Sequence, residues 1–108
     1  MRNKRNETIQ DINVDIDYSN IKGARFILNA IDHKLRQRIM GLLLNSAPMT
    51  VTDIYIKLRL EQSVASQHLA KLRRAKIVTT ERDGKYVYYS LNMERMLEIS
   101  EFSKKLIN

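Results

Sequence analysis

A chain of 108 residues without a single cysteine is the size of one domain, and it has no disulfide, thiolate metal site or cysteine nucleophile. Its 19 Lys and Arg against 12 Asp and Glu give a formal charge of +7, which favours a polyanionic partner without choosing among DNA, RNA and an anionic membrane. Nothing approaches the roughly 18 apolar residues of a membrane span, and the start of the chain lacks an apolar run of signal-peptide length, so the expected location is the cytoplasm.

Residues 1–17 begin basic (Arg2, Lys4, Arg5), turn acidic (Asp11, Asp15, Asp17) and carry few large apolar groups. They read as a flexible N-terminal arm, in which Ile12, Val14 and Ile16 alternate as a short extended stretch would. The remainder, residues 18–108, reads as one folded domain.

From Ser19 helical spacing sets in, with Ile21, Ala24, Leu28 and Ile31 recurring at three- and four-residue steps behind a Ser19/Asn20 cap candidate. A second helix runs from Asp32 or His33 to Asn45 on an apolar face of Leu35, Ile39, Leu42 and Leu43. Arg36 and Arg38 read by default as its solvated side, and Pro48 disfavours helix in the residue before it. Thr50, with Asp53 three residues on, is the next cap candidate, opening a short helix with Val51, Ile54 and Leu58 inward.

A fourth helix follows over about Gln62 to Ala75, burying Val64, Leu69 and Leu72 and leaving Ser63, Ser66, Gln67, Lys71 and Arg74 free to face out. Two short helices so closely spaced make a helix-turn-helix candidate. Around Asp83-Gly84 two runs rich in Val, Tyr and Thr signal a hairpin, with both central residues of a type I′ turn at positive φ. Asn92 then caps a last helix to about Ile107, with Met93, Met96, Leu97 and Leu106 as its apolar positions.

The expected fold is therefore mainly α with a small β-hairpin wing: a winged helix-turn-helix of about five helices. That order suits double-stranded DNA, because a helix fits the major groove while a hairpin lays cations along a backbone. The candidate DNA-binding residues are Gln62, Ser63, Ser66, Gln67, His68 and Lys71 on the fourth helix, with Arg73 and Arg74 placed to meet phosphates, and Arg82 and Lys85 on the wing. Tyr86, Tyr88 and Tyr89 fit packing within the hairpin better than a stacking platform for single strands, and the methionines read as core and interface filler.

The segment from Leu58 to Val78 resembles the helix-turn-helix of ArsR/SmtB-type repressors, whose recognition helix reads Ser-x-x-Ser-x-His-Leu-x-x-Leu; Ser63, Ser66, His68, Leu69 and Leu72 match it. The run from His33 to Met40 resembles that family's second helix, and Arg82-Asp83-Gly84-Lys85 with Tyr88-Tyr89 its wing. The resemblance implies a transcriptional repressor that binds operator DNA as a homodimer. It places Ile21, Ala24 and Leu28 of the first helix and Met93, Met96, Leu97 and Leu106 of the last at a two-fold interface; packing of those two helices on each other within one chain is the alternative. It also makes Arg36 a phosphate contact or an intramolecular tether.

Three departures from the family pattern stand out. Arg59 and Lys76 occupy usual glycine positions, so those turns either hold a side chain at positive φ or take another shape. Glu61 replaces a capping serine. The cysteines or Asp and His pairs of metal-sensing members are missing, and His33 and His68, the only histidines, lie on different helices without a companion at ligand spacing. No metal or other cofactor is expected, and any inducer is undefined. With no clustered His and carboxylate set and only three glycines, an enzyme is not expected. The rival reading is a winged-helix module that binds protein or RNA, which an apolar exposed face on the fourth helix would mark.

Overall fold

The computed structural model describes residues 16–108. Residues 1–15 of the expected arm, Ile12 and Val14 among them, lie outside the described residues. Within residues 16–108 the order is α1 (Tyr18–Ile31), α2 (Lys34–Leu44), α3 (Val51–Leu58), α4 (Gln62–Arg74), β1 (Val78–Asp83), β2 (Tyr86–Leu91) and α5 (Met93–Ile107).

Each helix start has a local cause. Asp17, assigned to the arm from sequence, caps α1: its Oδ1 accepts from the amides of Ser19 at 3.0 Å and Asn20 at 3.3 Å. Ser19 and Asn20 are thus the donors and not the cap, because the helix begins a residue earlier than its apolar spacing suggests. His33 caps α2, its Nδ1 accepting from the Leu35 amide at 3.1 Å. Thr50 and Asp53 form a reciprocal capping box at α3, with both bonds at 3.1 Å. Glu61 makes no side-chain cap at α4, as expected of a residue too long to turn back on its own helix.

The two turns that lack the family's glycines keep the glycine conformation. Arg59 closes α3 with φ 57° and ψ 50°, and Lys76 follows α4 with φ 61°. The first of the two alternatives therefore holds, at a strain of about 1 kcal/mol for each side chain in the left-handed region. With Arg59 there, the Leu60 amide reaches the Tyr55 carbonyl at 2.9 Å and α4 starts after only Arg59, Leu60 and Glu61.

The core joins α2, α3, α4 and the root of the hairpin. Ile39, Ile54, Leu69, Leu72, Ile77 and Val78 are its fully buried large residues, each contributing about 1.5–3 kcal/mol by leaving water. The strands pair antiparallel from Val78 opposite Leu91 to Asp83 opposite Tyr86. The hairpin loop is therefore Gly84-Lys85, one residue further on than the expected Asp83-Gly84. Of these two loop residues only Gly84 has positive φ, at 62°, which is the type II′ pattern, where glycine comes first, and not type I′. A bridge that the sequence did not signal fixes the hairpin to the segment before α3. The Met49 amide donates to the Tyr89 carbonyl at 3.1 Å, and the Tyr89 amide donates to the Met49 carbonyl at 2.7 Å.

Helices α1 and α5 are different in kind. Only Ala30 is buried in α1, and no residue is buried in α5. They do not pack on each other; they flank an open groove of about 480 Å³ lined by Ala24, Ile27, Leu28, Ile99 and Phe102, with Arg95 and Glu98 at its side.

Candidate nucleic-acid interface

Helix α4 packs inward through Ala65, Leu69 and Leu72. The 3.6-residue period then leaves Gln62, Ser63, Ser66, Gln67, Lys71, Arg73 and Arg74 exposed. Apart from Ala70, the exposed surface of this helix is polar or cationic, so the apolar face that would mark a protein-docking module is missing. Ser66, Arg73 and Arg74 of α4 and Tyr89 of β2 line one shallow recess. The wing tip carries Arg82 and Lys85, both exposed, with Lys85 Nζ 5.4 Å from the centre of the Tyr86 ring.

Charge is as informative as shape. Among the described residues the ion pair within 4 Å is Arg95 with Glu98, at 3.8 Å on α5. Among the described residues the cations of α4 and the wing have no carboxylate within that range, an arrangement suited to phosphates. Lys71, Arg73 and Arg74 in the last turn of α4 also meet the negative end of its dipole.

Two sequence readings change once the chain folds. Arg36 is not on a solvated face: it is 6% exposed, and its Nε donates to the Ala30 carbonyl at 2.6 Å while Nη2 donates to Asn29 at 3.1 Å. Of the two roles the resemblance implied, it has the tether's. Its third donor, Nη1, reaches Nδ1 of His68 at 3.2 Å. His68 is accordingly half-buried against α2 and not directed outward like Ser66 and Gln67. The two histidines also come together, their ring centres 4.7 Å apart. Both Nδ1 atoms are already occupied, and no group of three or more His, Asp or Glu able to hold a metal exists among the described residues. Burial holds the His68 imidazole below its ordinary pKa, and the nearby charges of His33, Arg36 and Lys71 push it the same way.

Sequence reasoning missed the contacts that fix the far end of α4. Arg95 Nε donates to the Ala75 carbonyl at 3.1 Å. Asn92 Nδ2 donates to Lys76 at 2.9 Å and the Asn92 amide to Ile77 at 2.8 Å. Helix C-termini need partners for their free carbonyls, and an Asn followed three residues on by Arg after the hairpin was the available signal.

Of the residues expected at an interface between copies, Ile21 is 55% exposed, Met93 52%, Leu97 62% and Leu106 70%. Ala24 and Leu28 line the α1/α5 groove, and Met96 leans on the core.

A domain of this form, with a polar reading helix and a cationic wing, is that of winged helix-turn-helix DNA-binding proteins. Residues 33–80 match the family model described as bacterial regulatory protein, arsR family. The transcriptional repressor PagR of Bacillus anthracis is 35% identical over 77 residues, spanning 71% of this chain and 77% of that protein. The transcriptional activator HlyU of Vibrio cholerae is 32% identical over 80 residues, 74% of this chain and 73% of HlyU. The crystal structure of PagR superposes with a TM-score of 0.64 at 32% identity, covering 85% of this chain and all of PagR. The homodimeric winged helix-turn-helix domain of Mb0332 from Mycobacterium bovis shares the fold, with a TM-score of 0.72 at 18% identity over 86% of each chain. The chain belongs to the ArsR family and is a DNA-binding transcriptional regulator, not an enzyme. No helix among the described residues is long and apolar enough to cross a membrane.

Proposed function

We propose that the protein is a sequence-specific repressor that acts in the cytoplasm as a homodimer on a pseudo-palindromic operator. The observation that carries this reading is the exposed apolar surface of α1 and α5, on elements other than the reading helix. Ile21, Leu97, Phe102 and Leu106 are between 44% and 70% exposed, a surface that ordinary monomers cover. A two-fold axis through it sets two copies of α4 into successive major grooves, about 10 bp apart. Ser66, Gln67, Gln62 and Ser63 then read base edges, while Lys71, Arg82 and Lys85 hold phosphates.

Repression is favoured over activation because occupancy alone suffices to block transcription, and the described residues contain no element beyond the reader, the wing, the flanking helices α1 and α5, and the core helices α2 and α3 that support them. PagR, a repressor by name, points the same way, although HlyU is an activator.

The test is binding to the DNA upstream of the protein's own gene and to a scrambled duplex of equal length, at low and near-physiological salt, with the mass of the free protein taken by sedimentation. A dimer whose preference for the upstream DNA survives rising salt supports the reading. Equal, salt-sensitive binding to both duplexes, or a monomer at micromolar concentration, counts against it.

A further inference from the structure

Arg36 is buried on α2 where it meets α1 and α4, and it spends its donors on those two helices. Nε and Nη2 close the end of α1 through the carbonyls of Ala30 and Asn29, and Nη1 points at His68 in the middle of α4. A guanidinium donates and cannot accept. The His68 Nδ1 that faces it at 3.2 Å must therefore carry a lone pair, which leaves the proton on Nε2. Nε2 has no hydrogen-bond acceptor among the described residues, and no buried side-chain polar atom there is unpaired, so this N–H opens to water or to a ligand of α4.

We infer that Arg36 is a positioning residue for DNA readout: by holding His68 as the Nε2–H tautomer it ties the reading helix to the end of α1, and protonation of His68 releases the tie. This rests on α4 being the helix that reads DNA. A proton on Nδ1 converts the acceptor into a second donor facing Nη1. It also adds a positive charge among Arg36 on α2, His33 at the α2 cap and Lys71 one turn along α4, and the charges acting on His68 include no carboxylate. The contact opens, and α4 is deprived of the one hydrogen bond that relates its middle turn, through Arg36, to α1. Acidification therefore loosens the reading helix through the imidazole and leaves the phosphate contacts in place, so specific binding falls while non-specific binding does not.

The test uses the full chain labelled with nitrogen-15 and a duplex that it selects from a random pool. Histidine side-chain spectra of the free protein should show His68 in the Nε2–H form at pH 8, and the Arg36→Met variant, which removes the donor, should lose that preference. Affinity for the selected duplex should fall between pH 7.5 and pH 5.5, by at most about tenfold because His68 is held below the ordinary histidine value, while affinity for a scrambled duplex holds or rises. His68→Asn, whose Oδ1 takes the place of Nδ1 as acceptor and does not titrate, should flatten the profile. His68→Gln, with its amide nearer the Nε2 position, should bind weakly at every pH. An Nδ1–H tautomer, tighter specific binding in acid, or an unchanged slope in His68→Asn overturns the inference. If no duplex is selected at any pH, the assignment of α4 fails while the spectra still decide the Arg36 contact.

Discussion

Arg95 on α5 donates its Nε to the carbonyl of Ala75, the residue that ends α4, at 3.1 Å. With the two bonds from Asn92 to Lys76 and Ile77, the start of α5 caps the end of α4. Arg95→Met keeps the aliphatic stem and removes the donor, leaving one helix-end carbonyl to water. We expect a stability loss of about 1–2 kcal/mol in urea unfolding, with a proportionally larger loss in specific than in non-specific DNA affinity. Equal losses on both duplexes would mean that this hydrogen bond supports the fold alone.

Leu97 is 62% exposed, so a charge there disturbs no core packing within one copy. Leu97→Glu should leave the circular dichroism spectrum and monomer fold intact, halve the mass seen by sedimentation, and weaken operator binding by about 10²-fold or more as two linked binding events become one. A dimer that persists in this variant places the interface elsewhere.

The proposed base readout by α4 and charge neutralisation by the wing can be separated by substitution. Replacing Ser66 and Gln67 by alanine should weaken specific binding by about 1–3 kcal/mol for each side chain that reads a base edge, and scarcely touch a scrambled duplex. Lys85→Ala should weaken both duplexes alike and lower the salt slope by about one. The reverse pattern would exchange the roles of α4 and the wing.

The left-handed Arg59 and Lys76 offer a gain in stability. Their φ values of 57° and 61° are free of strain only in glycine, but glycine also makes the unfolded chain more flexible. The net expectation for Lys76→Gly is about 0.5–1 kcal/mol of added stability, a rise of several degrees in melting temperature. The Asn92 bond to the residue 76 carbonyl is made to the backbone and survives. A fall in melting temperature would show that the lysine side chain contributes more than its backbone costs.

Stability against pH should carry two signatures. His68 is held below the ordinary histidine value of 6.5, so between that value and its folded one the unfolded chain binds the proton and the native chain does not. Its contribution is complete above pH 6.5 and declines as pH falls through the folded pKa. Asp17 is likewise lowered from 3.8, by the Ser19 side-chain hydrogen bond first and the Asn20 amide next. The start of α1 should therefore hold above that pH and fray as acid protonates the cap. Unfolding curves from pH 8 to 3 for the wild type and His68→Asn separate the two.

The helices were legible because each buries one stripe, and periodicity records that directly: Ile54, Leu69 and Leu72 fell inward where spacing put them. Thr50 was legible as a cap because hydroxyl and carboxylate stand at the required three-residue interval. What the sequence concealed was long-range. The burial of Arg36 depends on carbonyls six and seven residues earlier and on a histidine 32 residues later, and no local pattern distinguishes such an arginine from Arg38 two positions on. The Met49 bridge to Tyr89 and the Arg95 cap were hidden for the same reason. The hairpin register slipped by one residue because an Asp-Gly pair fits either of two turn types, and cross-strand pairing from Val78 and Leu91 settled the choice.

The Met49 to Tyr89 bridge has a mechanical consequence. It fastens the wing to the entrance of α3, while the hydrophobic core fastens α3 to α4, so α4 and the wing form one stiff arm, which in the proposed dimer would pivot where the copies meet. A slight rotation at that pivot would be magnified into a change of reach between the two copies of α4. A signal acting on such a dimer would have no need to unfold or reshape α4 or the wing; it would have only to alter the angle at which the two arms are held.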